Sequence, residues 1–134
     1  MDRTYKSREL NTMAKRIIPG GVHSNVRWTD PYPLYFSKGK GSKIWDVDGN
    51  KYIDCIVNYG ALILGHGDPD ANKAVKMELK TGLTAGLDTE LSFEVARKLR
   101  DLIPCAEMVK FANTGTEAVM HAIQIARGYT KKER

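Results

Sequence analysis

A group of small polar residues towards the end of the sequence has the types and spacing of an anion-binding site. Thr114 and Glu117 fit a capping box, in which each side chain accepts a hydrogen bond from a backbone N–H group at a helix start. Gly115, between them, lets the backbone approach a ligand closely. Because N–H groups at a helix start lack intrahelical acceptors and carry partial positive charge, a phosphate there can accept several hydrogen bonds. These residues alone leave open the alternative that they only cap a buried helix.

The anion-binding residues require a strand before them and a helix after them. Residues 107–112 alternate between two faces, as a strand does, and Pro104 separates them from the preceding helix. Beyond the turn, the apolar residues that follow the spacing of one helical face are Val119, Ala122, Ile123 and Ala126. The sequence therefore predicts a strand, a tight turn and a helix.

Three further helices are predicted from apolar spacing and capping residues. Residues 10–18 carry an apolar stripe, which indicates a first helix. Asp68 followed by Pro69 predicts the start of a second helix, and Asp88 or Thr89 predicts the start of a third. Each of these helices has one apolar face and therefore needs a surface to pack against.

A β-hairpin and a loop lie between the first and second predicted helices. Two short β-type runs, residues 43–47 and 51–56, flank Asp48-Gly49-Asn50, and Asp-Gly between such runs is a strong hairpin signal. Residues 22–35 contain Pro31 and Pro33 and are predicted to form a loop that carries Arg27.

Length, composition and charge exclude several classes of protein. The chain has 134 residues, of which 42% are hydrophobic, enough for a core of single-domain size. Its formal net charge of +5 is spread along the chain, without the basic and aromatic alternation of nucleic-acid-binding strands. No apolar run is long enough to cross a membrane, and the charged N-terminus is unlike a signal peptide. We therefore expect no nucleic-acid partner, no membrane insertion and a cytoplasmic location.

Residues that commonly bind metals do not have the spacing of a metal site. Cys55 and Cys105 form no C-x-x-C motif, and the three histidines share no ligand spacing. The run from Asp46 to Asn50 resembles the beginning of a calcium loop, but the later loop positions lack the required Gly and Glu. The sequence predicts no metal site, and we interpret His66 as an ordinary hydrogen-bonded turn histidine.

The order of the predicted elements indicates an incomplete α/β arrangement. A strand followed directly by a helix is half of a βαβ unit, whose parallel partner strand should come next. Only a few residues follow the helix that begins near Glu117. We expect the N-terminal part of a larger α/β protein, or one piece of a split protein. The alternative is a self-contained domain in which the hairpin supplies the other strands.

Several motifs together resemble one enzyme family, the pyridoxal-phosphate-dependent class III aminotransferases. Within that family the likeness is greatest to the glutamate-semialdehyde aminomutases. The motifs, in the order and spacing of that family, are Ile18–Arg27 (IPGGVHSNVR), Trp45–Asp54 (WDVDGNKYID), Ile63–His66 (ILGH) and Asn113–Ala118 (NTGTEA).

The resemblance implies a fold and a division into domains. The fold would be the N-terminal part of a type I aminotransferase, an α/β fold with a mostly parallel sheet in its large domain. Residues 1–65 would be the small N-terminal segment with the hairpin, and residues 66–134 would begin the cofactor-binding large domain. A homodimer with active sites at its interface would be expected.

The resemblance also implies ligands for particular residues. Thr114, Gly115 and Thr116 would bind the phosphate of pyridoxal 5′-phosphate (PLP). Arg27 would pair with the carboxylate of an amino acid or amino-aldehyde substrate, with Ser24 and Tyr59 lining the same pocket. The lysine that holds the cofactor covalently lies later in the family's sequence, so no catalytic residue is expected in this chain.

Two departures from the aminomutase pattern leave the reaction open. Asn25 stands where that branch has Pro, and Tyr59 stands where it has Trp. Transamination of an amino acid, a β-amino acid included, therefore remains an alternative to the aminomutase reaction. A non-catalytic phosphate-binding or interaction module derived from such an enzyme is the alternative from a different class.

Overall fold

The structure is a computed structural model that describes residues 3–82 and 86–132. Contacts within the chain divide it into two compact units, residues 1–83 and 84–134. The domain boundary predicted after residue 65 comes from the family resemblance and divides the chain at a different place. It stays a prediction.

The first unit is built around a small antiparallel sheet. Its strands are β1 (Phe36–Lys40), β2 (Lys43–Asp46) and β3 (Lys51–Ile53), which pair in the order β1-β2-β3. Helix α1 (Tyr5–Ala14) precedes the sheet and α2 (Pro69–Glu78) follows it, with single 3₁₀ turns at Pro19–Gly21 and Asn25–Arg27. The predicted hairpin of β2 and β3 is confirmed, with Lys43 opposite Ile53 and Trp45 opposite Lys51.

Strand β1 lies outside the sequence predictions. Its residues are mainly polar or glycine, so it lacks the alternating apolar pattern of a half-buried strand. Pairing with β2 holds it in place, with an irregular register between Phe36 and Lys38. Contacts between strands, rather than local preference, therefore decide this element.

The carboxylate of Asp46 organises the hairpin turn. Its Oδ1 accepts hydrogen bonds from the backbone N–H groups of Asp48 and Asn50, at 3.0 and 2.8 Å. Its Oδ2 accepts from the Asn50 side-chain amide and the Tyr52 hydroxyl, both at 2.8 Å. Burial by itself raises the pKa of Asp46, but these hydrogen bonds hold the pKa below its ordinary value. In the segment that resembles a calcium loop, the Asp46 carboxylate thus accepts its hydrogen bonds from groups of the protein itself.

Asp48 joins the hairpin turn to the start of α1. Its Oδ1 accepts the backbone N–H of Lys6 at 2.7 Å, and its Oδ2 accepts the N–H and hydroxyl of Ser7 at 3.0 and 2.9 Å. Desolvation by itself raises the pKa of Asp48, yet the hydrogen bonds lower it overall. Asp48 therefore acts as an N-cap supplied from a distant part of the chain.

The second unit contains α3 (Glu90–Leu102) and α4 (Gly115–Thr130). Both helices begin in capping boxes, Thr89 with Ser92 and Thr114 with Glu117, which confirms the predicted starts. The predicted strand at 107–112 is wrong, because this segment is in no strand. A strand exists through hydrogen bonds to a neighbouring strand, and no described segment pairs with this one.

Few apolar side chains are buried within the described residues, where Ala14 is the only buried hydrophobic one. Helix α4 exposes Val119, Met120, Ile123 and Ile125, which lie on several of its sides. A helix that is apolar on several sides is typical of the interior of a larger core. None of the helices in 3–82 and 86–132 has the length and apolar character that spanning a bilayer requires.

Candidate functional site

The start of α4 offers hydrogen-bond donors to a ligand. The Thr114 hydroxyl accepts the N–H of Glu117 at 3.2 Å, and the Glu117 carboxylate accepts the N–H groups of Asn113 and Thr114 at 2.7 and 3.2 Å. The next two amides, of Gly115 and Thr116, donate to no group within the described residues. The capping box and an anion site therefore coexist, because capping uses a different set of amides.

The space at Gly115 is open. A Cβ atom built on this glycine would meet no described atom within 4 Å. Gly115 and Thr116 are both exposed, so an anion could approach their N–H groups directly. Two open amides at the positive end of a helix of 16 residues are suited to a phosphate.

A second candidate site is a cavity of about 770 Å³ in the first unit. It is lined by Arg27 and Tyr59, two of the predicted substrate-binding residues, together with Asp54 and His66. Most of its other walls are apolar, and they include Ile18, Val22, Leu34, Phe36, Ile56 and Leu62. The structure thus brings Arg27 and two tyrosines, Tyr35 and Tyr59, to a largely apolar cavity.

Ser24 and Arg27 belong to the same short turn. Ser24 precedes the 3₁₀ turn Asn25–Arg27, and the Arg27 N–H donates to the Ser24 carbonyl at 2.9 Å. Arg27 is exposed, whereas Ser24 is half-buried and does not line the cavity that the described residues form. The three predicted substrate residues belong to the first unit, and Thr114, Gly115 and Thr116 belong to the second.

Tyr59 stands in a left-handed turn of residues 57–60. The φ angles of Val57, Asn58 and Tyr59 are 42°, 52° and 57°, and that of Gly60 is 83°. Left-handed backbone costs about 1–2 kcal/mol at each non-glycine residue, and it is most unusual for β-branched Val57. Such strain persists only where the surrounding structure holds the turn in place.

Asp54 holds the beginning of this turn. Its Oδ1 accepts the backbone N–H groups of Ile56 and Val57, each at 2.9 Å. These bonds also explain why β3 ends at Ile53 rather than at the predicted residue 56. Its Oδ2 lies 2.7 Å from Nε2 of His66, and this hydrogen bond is the main reason why the pKa of Asp54 is below its ordinary value.

His66 is hydrogen-bonded, as predicted, but it lies in an isolated β-bridge with Gly41 rather than in a turn, and its side-chain partner is not visible in the sequence. Asp54 and His66 meet through space, and neither neighbourhood contains a motif that predicts the pair. The nearest signal is Gly39 in the polar strand β1, because a Cβ there would overlap the His66 ring. Such a contact can be found only after the strands are placed.

Comparisons with known proteins identify the family of this chain. The family model for class-III aminotransferases matches residues 24–134. Among curated proteins, the chain is 50% identical over 128 residues to the glutamate-1-semialdehyde 2,1-aminomutase of Methanobrevibacter smithii. That match covers 96% of this chain and 30% of the relative, so the chain spans less than a third of the relative's length.

Solved structures share the fold. A β-phenylalanine aminotransferase from Variovorax paradoxus superposes with a TM-score of 0.94 at 30% identity, over 98% of this chain and 30% of that one. A transaminase with PLP bound superposes with a TM-score of 0.93 at 37% identity, over 98% of this chain and 31% of that one. The fold is therefore that of the N-terminal part of a PLP-dependent transaminase.

Proposed function

Because this chain belongs to the class-III aminotransferase family, we propose that it is part of an enzyme that transfers an amino group on an amino-acid-type substrate with PLP as cofactor. The observation that carries the proposal is the pair of open backbone amides at Gly115 and Thr116. A structurally similar transaminase holds PLP, whose phosphate is the kind of anion such amides bind.

The residues present fit the phosphate end of PLP. The N–H groups of Gly115 and Thr116 would donate to phosphate oxygens, and the hydroxyl of Thr116 would donate a further hydrogen bond. Glu117 is already bonded to the amides of Asn113 and Thr114 through its carboxylate, which orders the turn before a ligand arrives. When bound, PLP supplies an electron sink for carbanion chemistry at the substrate.

The cavity of the first unit would receive the substrate. Arg27 would hold the substrate carboxylate, because a planar guanidinium can donate two parallel hydrogen bonds to it. Tyr59 would form a wall of the pocket, and Ser24 would support the turn that carries Arg27. These residues orient the substrate and perform no covalent chemistry.

Other parts of the proposal concern the whole enzyme. We infer from the family resemblance that the lysine which holds PLP covalently is not in this chain, and that the enzyme is a homodimer. The cytoplasmic location expected from the sequence stays a prediction.

Two reactions remain candidates, and different observations favour each. Identity to curated glutamate-1-semialdehyde aminomutases favours internal transfer of the amino group. The apolar walls of the cavity, with Tyr59 among them, favour a transaminase acting on an amino acid with an apolar substituent. The fold shared with a β-phenylalanine aminotransferase supports this second candidate. Turnover of glutamate-1-semialdehyde, compared with turnover of β-phenylalanine plus an amino acceptor, distinguishes them.

Titration of PLP into the full-length product of this gene tests the proposal. We expect a visible absorbance band of bound PLP and turnover of an amino-acid substrate. A phosphate-binding module from another class would bind inorganic phosphate without that band, and this result would contradict the proposed function.

Substitution of Arg27 tests the substrate site separately. Arg27→Lys keeps the charge but cannot form two parallel bonds, so we expect the KM of the carboxylate substrate to rise about tenfold, the effect of one charge-assisted hydrogen bond, with PLP affinity unchanged. Arg97→Lys, at an exposed position of α3, is the matched control and should change neither quantity. Equal losses of substrate and cofactor affinity in Arg27→Lys would argue against a carboxylate role.

A further inference from the structure

The left-handed turn at residues 57–60 depends on few contacts. Tyr59 is 72% exposed and Asn58 and Gly60 are exposed as well, so within the turn only the half-buried Val57 packs against the first unit. Besides its own backbone bonds, the turn is held by Asp54 Oδ1, which accepts the N–H groups of Ile56 and Val57. The strained backbone therefore relies on the orientation of one carboxylate.

His66 fixes the orientation of that carboxylate. Its Nε2 lies 2.7 Å from the second oxygen of Asp54. Its own backbone exchanges two hydrogen bonds with Gly41, at 2.7 and 2.9 Å, at the turn between β1 and β2. Its ring lies against Gly39 and 5.9 Å from the Phe36 ring, measured between centroids. His66 is thus attached to the sheet by its backbone and by both of these contacts.

Together these contacts form a continuous connection from the sheet to the cavity wall. The connection runs from Gly41 through His66 and Asp54 to the turn that carries Tyr59. Both Asp54 and His66 also line the cavity that contains Arg27. We propose that Asp54 and His66 are positioning residues, which hold the 57–60 turn so that Tyr59 faces the substrate beside Arg27. The inference rests on the proposed function, since the substrate of this cavity is part of that proposal.

A double-mutant cycle in the full-length gene product tests the coupling between His66 and Tyr59. His66→Ala should raise the KM of the amino-acid substrate by about tenfold, within the range that coupled residues show, with a much smaller change in kcat. Tyr59→Ala should raise the KM similarly. If His66 acts through Tyr59, the double variant should show no further increase. Independent effects that multiply in the double variant would overturn the proposal.

A conservative substitution separates positioning from a general loss of structure. His66→Gln keeps a side-chain N–H that can donate to Asp54, so it should restore most of the substrate affinity lost in His66→Ala. Hydrogen exchange adds a measurement that does not depend on activity. The amides of Ile56 and Val57 should be protected in the wild type and in His66→Gln but lose protection in His66→Ala.

These measurements distinguish failure of the inference from failure of the proposed function. A wild-type protein that neither binds PLP nor turns over an amino acid contradicts the proposed function. If the wild type is active but exchange at Ile56 and Val57 is the same in all variants, only the positioning role is refuted. If His66→Ala does not fold, His66→Phe replaces it in the cycle, because phenylalanine keeps an aromatic ring at this position but cannot form the hydrogen bond to Asp54.

Discussion

Three aspartates of the first unit use both carboxylate oxygens to accept hydrogen bonds from the protein itself. Asp46 binds the hairpin turn, Asp48 caps α1 and Asp54 holds the 57–60 turn. Acidic side chains in such a run would be natural candidates for metal or acid–base chemistry. Here their partners are backbone amides, the side-chain amide of Asn50, hydroxyls and an imidazole, so they fix the backbone of the first unit; of the three, only Asp54 lines the candidate substrate cavity.

The hydrogen bonds of these aspartates make the first unit sensitive to acid. The folded-state pKa of each is below its ordinary value, so each contributes stability above the unfolded pKa of about 4 and loses it as pH falls through the folded value. We expect the unfolding free energy of the full-length protein to decrease as the pH is lowered below about 4. Denaturant unfolding at several pH values measures it.

Asp46→Asn is the informative variant in that experiment. Asparagine cannot ionise, so the variant should be less stable at neutral pH and should show a weaker dependence on pH below about 4. Parallel curves for wild type and variant would show that Asp46 does not contribute to the acid sensitivity.

Thr116 is the residue through which the phosphate site can be tested. Thr116→Ala should weaken PLP binding by ~1.5–3 kcal/mol, because one hydrogen bond to a charged phosphate is lost. Thr130→Ala is a matched control in the last turn of the same helix, where the hydroxyl donates to the Ala126 carbonyl. Equal PLP affinities of wild type and Thr116→Ala would place the phosphate elsewhere.

The helices and the strands of this chain differ in how much their own sequence determines them. Helices α2, α3 and α4 begin where Asp68, Thr89 and Thr114 predict, because a cap bonds to amides only a few residues away. Strands depend on partners distant in the chain, so β1 could not be predicted, and 107–112 has a strand pattern but no described partner. That Arg27 and Tyr59 line one pocket was predicted only from the family resemblance. The Asp54–His66 contact could be found only in the structure, because no motif in the sequence predicts it.

The capping boxes of α3 and α4 allow stability and ligand binding to be separated. Thr89→Ala and Thr114→Ala should each lower the unfolding free energy by ~1 kcal/mol through loss of the cap. Only Thr114→Ala should also weaken PLP binding, because only that cap lies at the open amides. Loss of PLP affinity in Thr89→Ala would mean that capping, rather than direct contact, explains the effect.

Taken as a whole molecule, the chain leaves its apolar helices largely uncovered. Large hydrophobic residues on α2, α3 and α4 are exposed, and Ala14 is the only hydrophobic residue that is buried in the described part of the chain. The chain also spans 30% of the length of a curated aminomutase. Such exposed apolar faces are typical of elements that pack into a larger core.

We predict that residues 1–134, produced alone, are catalytically inactive. The reason is that phosphate and substrate contacts are present without the lysine that the resemblance assigns to later sequence. The exposed apolar surface should also make the isolated chain bind a hydrophobic dye strongly. Turnover assays with added PLP and dye fluorescence measure both properties, and any detectable turnover would refute the assignment of the lysine.

The close approach of His66 to the backbone of β1 restricts which amino acids can occupy position 39 of that strand. Gly39 lines neither candidate site, yet even the methyl group of alanine there would overlap the imidazole. The ring would have to move, and the wall formed by Tyr59 would lose its anchor. In a randomised library under selection for activity, position 39 should therefore retain glycine, while the exposed neighbours Lys38 and Lys40 diversify.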